Sequence, residues 1–207
     1  MSAWADKIHR NGCQPLSAHA RYPPGANEEV YSMVDFVQTP GSGAIGMIPC
    51  PGAPAHDPRA LRRDLEAILR WGATALVTLV TTRERTPRGP AEIGDAARSL
   101  GLAWHWLPID DMYAPDATFE ELWQDDGPPL RARLRAGERI LVHCRGGLGR
   151  TGTIAARLLV ELGVEPAMAI ARVRDARPGA IETSAQEQHV EACGTVFTDR
   201  SAEWRCP

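Results

Sequence analysis

The segment RILVHCRGGLGRTGTIAARLLVEL, Arg139–Leu162, decides the fold. Its opening residues form a short apolar run that predicts a buried strand over Arg139–His143. Its closing residues, Thr151–Leu162, are rich in alanine and leucine and predict a helix. Between them lies a loop bounded by Cys144 and Arg150 that contains Gly146, Gly147 and Gly149. A strand feeding a helix through a glycine-rich turn is a unit of a parallel α/β sheet. Ligands of such sheets sit where strands end and helices begin.

Outward from this segment the same alternation recurs. Val30–Val37 and Ala44–Ile48 read as two short strands joined by the turn Thr39–Gly43. Asp57-Pro58 supplies an N-cap and a first-turn proline, and Leu61, Leu65, Ile68 and Leu69 recur at helical spacing, so Pro58–Trp71 is predicted as an amphipathic helix. A buried strand Ala73–Val80, a helix Pro90–Leu100 and a strand Ala103–Leu107 follow. A short helix is predicted at Phe119–Trp123, then a Gly-Pro-Pro break, then a separate helical stretch Leu130–Arg135. Pro166–Arg174 and Thr183–Cys193 are the last helices. The expected fold is α/β and three-layered, with a central, mostly parallel sheet flanked by helices on both faces. One domain spans residues 30–207. Before it, residues 1–29, with Pro15, Pro23, Pro24 and Gly25, read as an irregular arm.

Composition narrows the chemistry. The chain has 207 residues, 43% of them hydrophobic and 24% charged, the balance of a globular protein of about one domain. A formal net charge of −3 argues against a dedicated nucleic-acid binder. Lys7 is the only lysine, in a polar stretch without a preceding glycine-rich loop, which excludes Schiff-base and Gly-Lys-Ser/Thr nucleotide chemistry. No G-x-S-x-G hydrolase elbow is present. The N-terminus MSAWADKIHRNGCQP has no signal-like apolar core, and the longest apolar-rich run, Trp71–Val80, is too short to span a bilayer, so membrane insertion is not expected. Five widely spaced cysteines (Cys13, Cys50, Cys144, Cys193, Cys206) do not form a disulfide framework, and a reducing cytoplasm is the expected location.

The loop Cys144–Arg150 is suited to one phosphate. Amides of a glycine-rich turn converge on an anion, and the following helix adds about half a positive charge at its N-terminus. Arg145, Gly146, Gly147, Leu148 and Gly149 are therefore the expected phosphate-binding residues. Arg150 offers a planar fork of donors for two phosphate oxygens. The same field stabilises a thiolate, which predicts Cys144 as a nucleophile directed at phosphorus. Thr151 could donate its hydroxyl to the sulfur, and His143 is expected to brace the loop rather than act as a base.

His-Cys-x5-Arg followed by Thr resembles the signature of the cysteine-dependent protein phosphatases of the tyrosine and dual-specificity group. HCRGGLGRTG is most similar to the loops of the cyclin-dependent-kinase-associated and Cdc14-type phosphatases. IPCPG (Ile48–Gly52), PIDDMYAPD (Pro108–Asp116) and RDARPGAIET (Arg174–Thr183) extend the likeness, which covers roughly residues 44–195. It implies a dual-specificity phosphatase-like fold and a two-step hydrolysis through a phosphocysteine, with no metal and no cofactor. It also implies a general acid on a separate loop, because an alkoxide or phenolate leaves poorly unprotonated. Position relative to Pro115 selects Asp111, with Asp110 as the alternative. Met112 and Tyr113 depart from the small residues usual there. Gln186 matches a glutamine that orients water in some relatives, but Thr183-x-x-Gln186 is equally a helix capping box. The implied partners are a phosphorylated protein, at phosphotyrosine with phosphoserine or phosphothreonine in addition, and a phosphate or sulfate ion in the loop.

Two other functions fit the same residues. A phosphoinositide or other non-protein phosphomonoester could be the substrate, although such relatives usually carry extra lysines in the loop, where Leu148 is neutral. A non-catalytic phospho-binding module would bind without turnover. Further features have plainer readings. GSGAIG (Gly41–Gly46) fits G-x-G-x-x-G but leads into a strand, not a helix, so it is a turn. Cys50 and His56 lack the second pair of a zinc site. Trp104, His105 and Trp106 are core or pocket wall, and Arg131, Arg133, Arg135 and Arg139 are expected to form a solvated basic face.

Overall fold

The structure is a computed structural model that describes residues 34–53, 57 and 59–196. The expected arm, residues 30–33 of the first predicted strand, Pro58 and His56 lie outside the described residues. The strands are β1 (Asp35–Gln38), β2 (Ala44–Ile48), β3 (Ala73–Thr78), β4 (Ala103–Trp106) and β5 (Arg139–His143). The helices are α1 (Ala60–Trp71), α2 (Pro90–Ser99), α3 (Ala117–Arg135), α4 (Gly149–Glu161), α5 (Pro166–Ala176) and α6 (Ser184–Ala192).

The five strands form one sheet in the order β1-β2-β5-β3-β4. Among the described residues only β1 and β2 pair antiparallel; β2–β5, β5–β3 and β3–β4 are parallel. The turn between β1 and β2 closes through Thr39 N–H and hydroxyl, which both donate to the Gly43 carbonyl. GSGAIG therefore runs from this turn into β2, as its context predicted. Helices cover both faces. On one, Ile45, Met47, Ala75, Val77, Ile140 and Val142 pack with side chains of α3–α6. On the other, Ala44, Leu76 and Leu141 pack with Leu61, Leu65, Ile68 and Trp71 of α1 and with Ile93 of α2. The period-two alternation Ile140, Leu141, Val142 serves both cores from the central strand.

Two expectations are corrected. Residues 117–135 form one helix, not two pieces separated by Gly127-Pro128-Pro129. Phe119, Trp123, Gly127, Leu130, Arg131 and Leu134 form a continuous buried stripe through the prolines. The carbonyls at Gln124 and Asp125, which the prolines leave without i+4 donors, belong to exposed residues that water can reach. The close approach at Gly127 also requires glycine: a Cβ there would lie 2.8 Å from atoms of both Trp123 and Arg131. The arginine run is a solvated face only at Arg135, which is exposed. Arg131 is buried and paired with Glu161, Arg133 bonds Glu138, and Arg139 bonds the Trp71 carbonyl and lies over its ring. A smaller difference lies at the start of α1. Asp57 takes the Arg59 N–H on its carboxylate and the Ala60 N–H on its carbonyl, and the helix begins at Ala60.

Candidate active site

Central strand β5 ends in His143, and the next residue, Cys144, opens the loop into α4. His143 is fully buried. Its Nε2 lies 2.9 Å from Thr78 Oγ1 and its Nδ1 lies 3.3 Å from the Cys144 carbonyl. Trp104 Nε1, which can only donate, bonds the same Thr78 oxygen at 2.9 Å. Donors and acceptors then order in one direction: indole N–H to Thr78, Thr78 O–H to Nε2, Nδ1–H to the Cys144 carbonyl. Burial pushes the imidazole down to about 4; the Arg150 charge adds to this, and the bond to the Cys144 carbonyl opposes it. His143 is thus a neutral brace between β3, β4 and the loop.

Successive loop carbonyls are held from outside. Arg145 O accepts from Cys50 N–H at 3.0 Å, Gly146 O from Arg177 Nη2 at 3.2 Å, and Gly147 O from Arg177 Nε. Arg177 is itself anchored on Asp35 of β1. In a trans peptide the carbonyl and the next N–H point to opposite sides. Carbonyls drawn outward at 145, 146 and 147 therefore turn the amides of Gly146, Gly147 and Leu148 inward. The Gly147 N–H accordingly donates to Cys144 Sγ at 3.2 Å. Gly147 has φ +71, and a Cβ there would strike the backbone of Ile48 and Pro49, so glycine is required.

Cys144 and Arg150 are only 3% and 2% exposed. The Arg150 guanidinium is gripped by Glu84, with Nη1 to Oε1 at 2.6 Å and Nη2 to Oε2 at 2.8 Å. Nη1 also donates to the Ile109 carbonyl at 2.8 Å and Nη2 to Asp111 Oδ1 at 2.8 Å. Burial raises the Glu84 carboxyl, but bonds from Arg150 and from Thr81 N–H outweigh it and hold the group below the ordinary range. Asp111, with a side chain 47% exposed, reaches this core from the α3 side. Asp110 is exposed and makes no bond to Arg150; it lines a cavity with Thr81, Arg83 and Trp106.

Two residues in the left-handed region flank the site. Met112, with φ 67, follows Asp111, and Ile181, with φ 60, precedes Glu182. The Ile181 side chain is β-branched and buried, so its backbone is strained. Gln186 completes the capping box with Thr183. Its Oε1 accepts from Glu182 N–H at 2.9 Å and its Nε2 donates to the Tyr113 carbonyl at 3.2 Å, so it also ties α6 to the loop carrying Asp111. Thr151 differs from expectation. Its hydroxyl is buried without a hydrogen-bond partner, and no bond to Cys144 Sγ is formed. Cys50 lies beside the loop as a protonated thiol. Burial, with the nearby charges of Cys144 and Glu84, pushes it up to about 12. Among the described residues no group of three or more His, Cys, Asp or Glu side chains could hold a metal ion.

Sequence reasoning missed Glu84, Arg177 and Glu182. Arg177 and Glu182 lie inside RDARPGAIET, which was read only as part of the family likeness, and Glu84 lies in a loop with no motif around it. The one available signal for Glu84 was its place after the C-terminal end of β3, next to the central strand.

A cysteine and an arginine six residues apart, on a glycine loop between the central parallel strand and a helix, define a phosphatase of the tyrosine and dual-specificity class. The family described as PTP-SAK, a Swiss Army Knife protein with a DSP-PTPase phosphatase domain, matches residues 54–190, and the chain belongs to it. Cyclin-dependent kinase inhibitor 3 of Sus scrofa is 32% identical over 151 residues, covering 70% of this chain and 69% of the relative. The Mus musculus protein of that name is 30% identical over 207 residues, covering 92% of each. The crystal structure of kinase associated phosphatase with its catalytic-site cysteine replaced by serine is 26% identical. It superposes with a TM-score of 0.63 over 76% of this chain and 90% of that one. The chain is a cysteine-dependent protein phosphatase with a mixed, mainly parallel sheet, and among its described residues no helix is long and apolar enough to cross a membrane.

Proposed function

We propose that this chain hydrolyses phosphotyrosine, and in addition phosphoserine and phosphothreonine, in phosphorylated proteins, with Cys144 as nucleophile. The observation that carries the reading is the bond from Gly147 N–H to Cys144 Sγ inside a loop whose carbonyls are turned outward. An amide directed at sulfur, with the positive end of α4 behind it, favours an anionic sulfur facing an anion-binding concavity.

In the first step the sulfur attacks phosphorus in line. The S–P bond forms and the P–O bond to the substrate breaks, while Asp111 gives its proton to the leaving oxygen. In the second step water attacks phosphorus, the S–P bond breaks, and the Asp111 carboxylate takes the water proton. Amides of Arg145, Gly146, Gly147, Leu148 and Gly149 and the Arg150 fork hold the phosphoryl oxygens, which also suits a free phosphate or sulfate ion. Asp111 is preferred to Asp110 because it already touches Arg150. A phosphoryl oxygen that takes over Arg150 Nη2 releases the Asp111 carboxyl next to the leaving group. Glu84 keeps the guanidinium in place throughout. His143 braces the loop, Gln186 positions the Asp111 loop through Tyr113, and Thr151, whose buried hydroxyl has no other partner, donates it to the Cys144 sulfur as that sulfur leaves phosphorus. We further read residues 30–207 as one domain, with 1–29 an arm, and the cytoplasm as its location.

The test is hydrolysis of an aryl phosphate and of a phosphopeptide panel in the presence of a chelator, by wild type and by Cys144→Ser. Turnover by the wild type and none by the serine variant is expected. Full activity in the variant would overturn the mechanism, and a preference for inositol phosphates over phosphopeptides would overturn the substrate class.

A further inference from the structure

We infer that Glu182 is a specificity-determining residue whose carboxylate occupies a phosphate-binding amide and must be displaced by the substrate. The inference rests on the phosphatase reading above and deepens it. Gly149 is the first residue of α4, and its N–H donates to Glu182 Oε2 at 2.8 Å. The first intrahelical bond of α4 runs from Gly152 N–H to Leu148 O at 2.8 Å. The Gly149 N–H points away from that carbonyl, back along the helix axis, which is the direction from which an anion meets a helix N-terminus.

The placement of Glu182 is fixed by its neighbours. Ile181 is held at φ 60 with its side chain buried, which fixes the direction in which the chain enters residue 182. The Glu182 N–H is bonded by Gln186 Oε1 at 2.9 Å. Gly149 leaves room for the contact, since a Cβ there would collide with Glu182 Oε2 and approach Gln186 Oε1 to 2.9 Å. The Glu182 residue itself is exposed, so its carboxylate can swing into solvent without unfolding anything.

A phosphoryl group carries the same sign of charge as this carboxylate and needs the same donor. Binding then requires either displacement of Glu182 or close approach of two anions, and both weaken the complex. The carboxylate accordingly sets a threshold: monoanionic and weakly held oxyanions are excluded more than a substrate with further binding contacts. Asp111 on Arg150 Nη2 likewise has to give up its donor when a phosphoryl oxygen binds.

The experiment is binding of inorganic phosphate, measured by calorimetry in a Cys144→Ser background, with and without Glu182→Gln. Glutamine keeps an oxygen acceptor for the Gly149 N–H and removes the charge. Phosphate should bind roughly threefold to tenfold more tightly to the glutamine variant. In the otherwise wild-type enzyme the same substitution should lower KM for an aryl phosphate more than it changes kcat. Unchanged or weaker phosphate binding in the glutamine variant would overturn the inference and leave Glu182 a helix cap. Glu182→Ala, read by the same titration and by thermal melting, serves if the glutamine variant does not fold. Because the binding assay involves no turnover, its failure is distinct from failure of the phosphatase reading, which the Cys144→Ser assay decides.

Discussion

His143 enters the fold without a charge, and this has a cost at low pH. Its ordinary value of 6.5 falls to about 4 through burial. The unfolded chain therefore takes up this proton near 6.5, whereas the folded chain does so only near 4. The contribution to stability is complete above 6.5 and is lost as pH falls from 6.5 to about 4, at about 1.4 kcal/mol per pH unit. His143→Asn retains a donor for the Cys144 carbonyl and removes the titration. Urea unfolding of both proteins should show the gap between them narrowing by about 2 kcal/mol from pH 7 to pH 5; a constant gap would mean that the imidazole is not the group responsible. At the same scale, Asp111→Ala should lower kcat by about 10²–10⁴ for an alkyl phosphate, and by less for a nitrophenyl ester whose leaving group needs no proton. Asp110→Ala should leave the alkyl phosphate rate near wild type, and the reverse result would transfer the acid role to Asp110. Cys144, Arg150 and their glycines were legible because their spacing is local. Glu84, Arg177 and Glu182 were not, since each acts over a separation of 30 or more residues that only the folded sheet closes.

At the scale of elements, the loop owes its shape to the segments packed outside it. Cys50 N–H and Arg177 pull three consecutive carbonyls outward. Arg177→Leu removes two of these ties and the Asp35 pair. Because small displacements of reacting groups cost about 10²-fold in rate, kcat/KM for an aryl phosphate should fall by about that factor. Arg177→Lys should recover only part of the loss, since one ammonium cannot span two carbonyls and a carboxylate; full activity in the leucine variant would show that the loop holds its form unaided. Most elements were legible from period alone: β2 and β5 have the predicted limits, and α2, α4, α5 and α6 differ by a residue or two at their ends. Helix α3 was not, because Pro128 and Pro129 signal a local break while Trp123, Leu130 and Leu134 signal continuity. Tertiary burial of the stripe outweighs two lost backbone bonds whose carbonyls remain wet.

At the scale of the whole molecule, the far side of α4 is held by a buried ionic network rather than by apolar packing alone. Glu161 accepts from Trp123 Nε1 at 2.8 Å, from Arg157 Nε at 2.8 Å and from Arg131. Arg157 also grips Glu120 through both terminal nitrogens. Glu161→Ala would leave two buried guanidinium groups short of a counter-charge, and it should cost about 3–5 kcal/mol in urea unfolding. A loss under 1 kcal/mol would show that water enters and replaces the carboxylate. Nothing in the composition distinguished Arg131 from its neighbours in the arginine run, because its partner Glu161 lies in a helix 30 residues away.

The strand order β1-β2-β5-β3-β4 also bears on how the chain is made. β2 and β3 are never neighbours; each awaits the fifth strand. During translation the first two strands can pair with each other, and the third with the fourth, but the two halves have no seam until residues 139–143 leave the ribosome. At about 5–20 residues per second, two apolar strand edges stay open for several seconds of synthesis. The segment that finally joins them also leads directly into Cys144, so no shorter nascent chain has either a complete sheet or the candidate active-site loop.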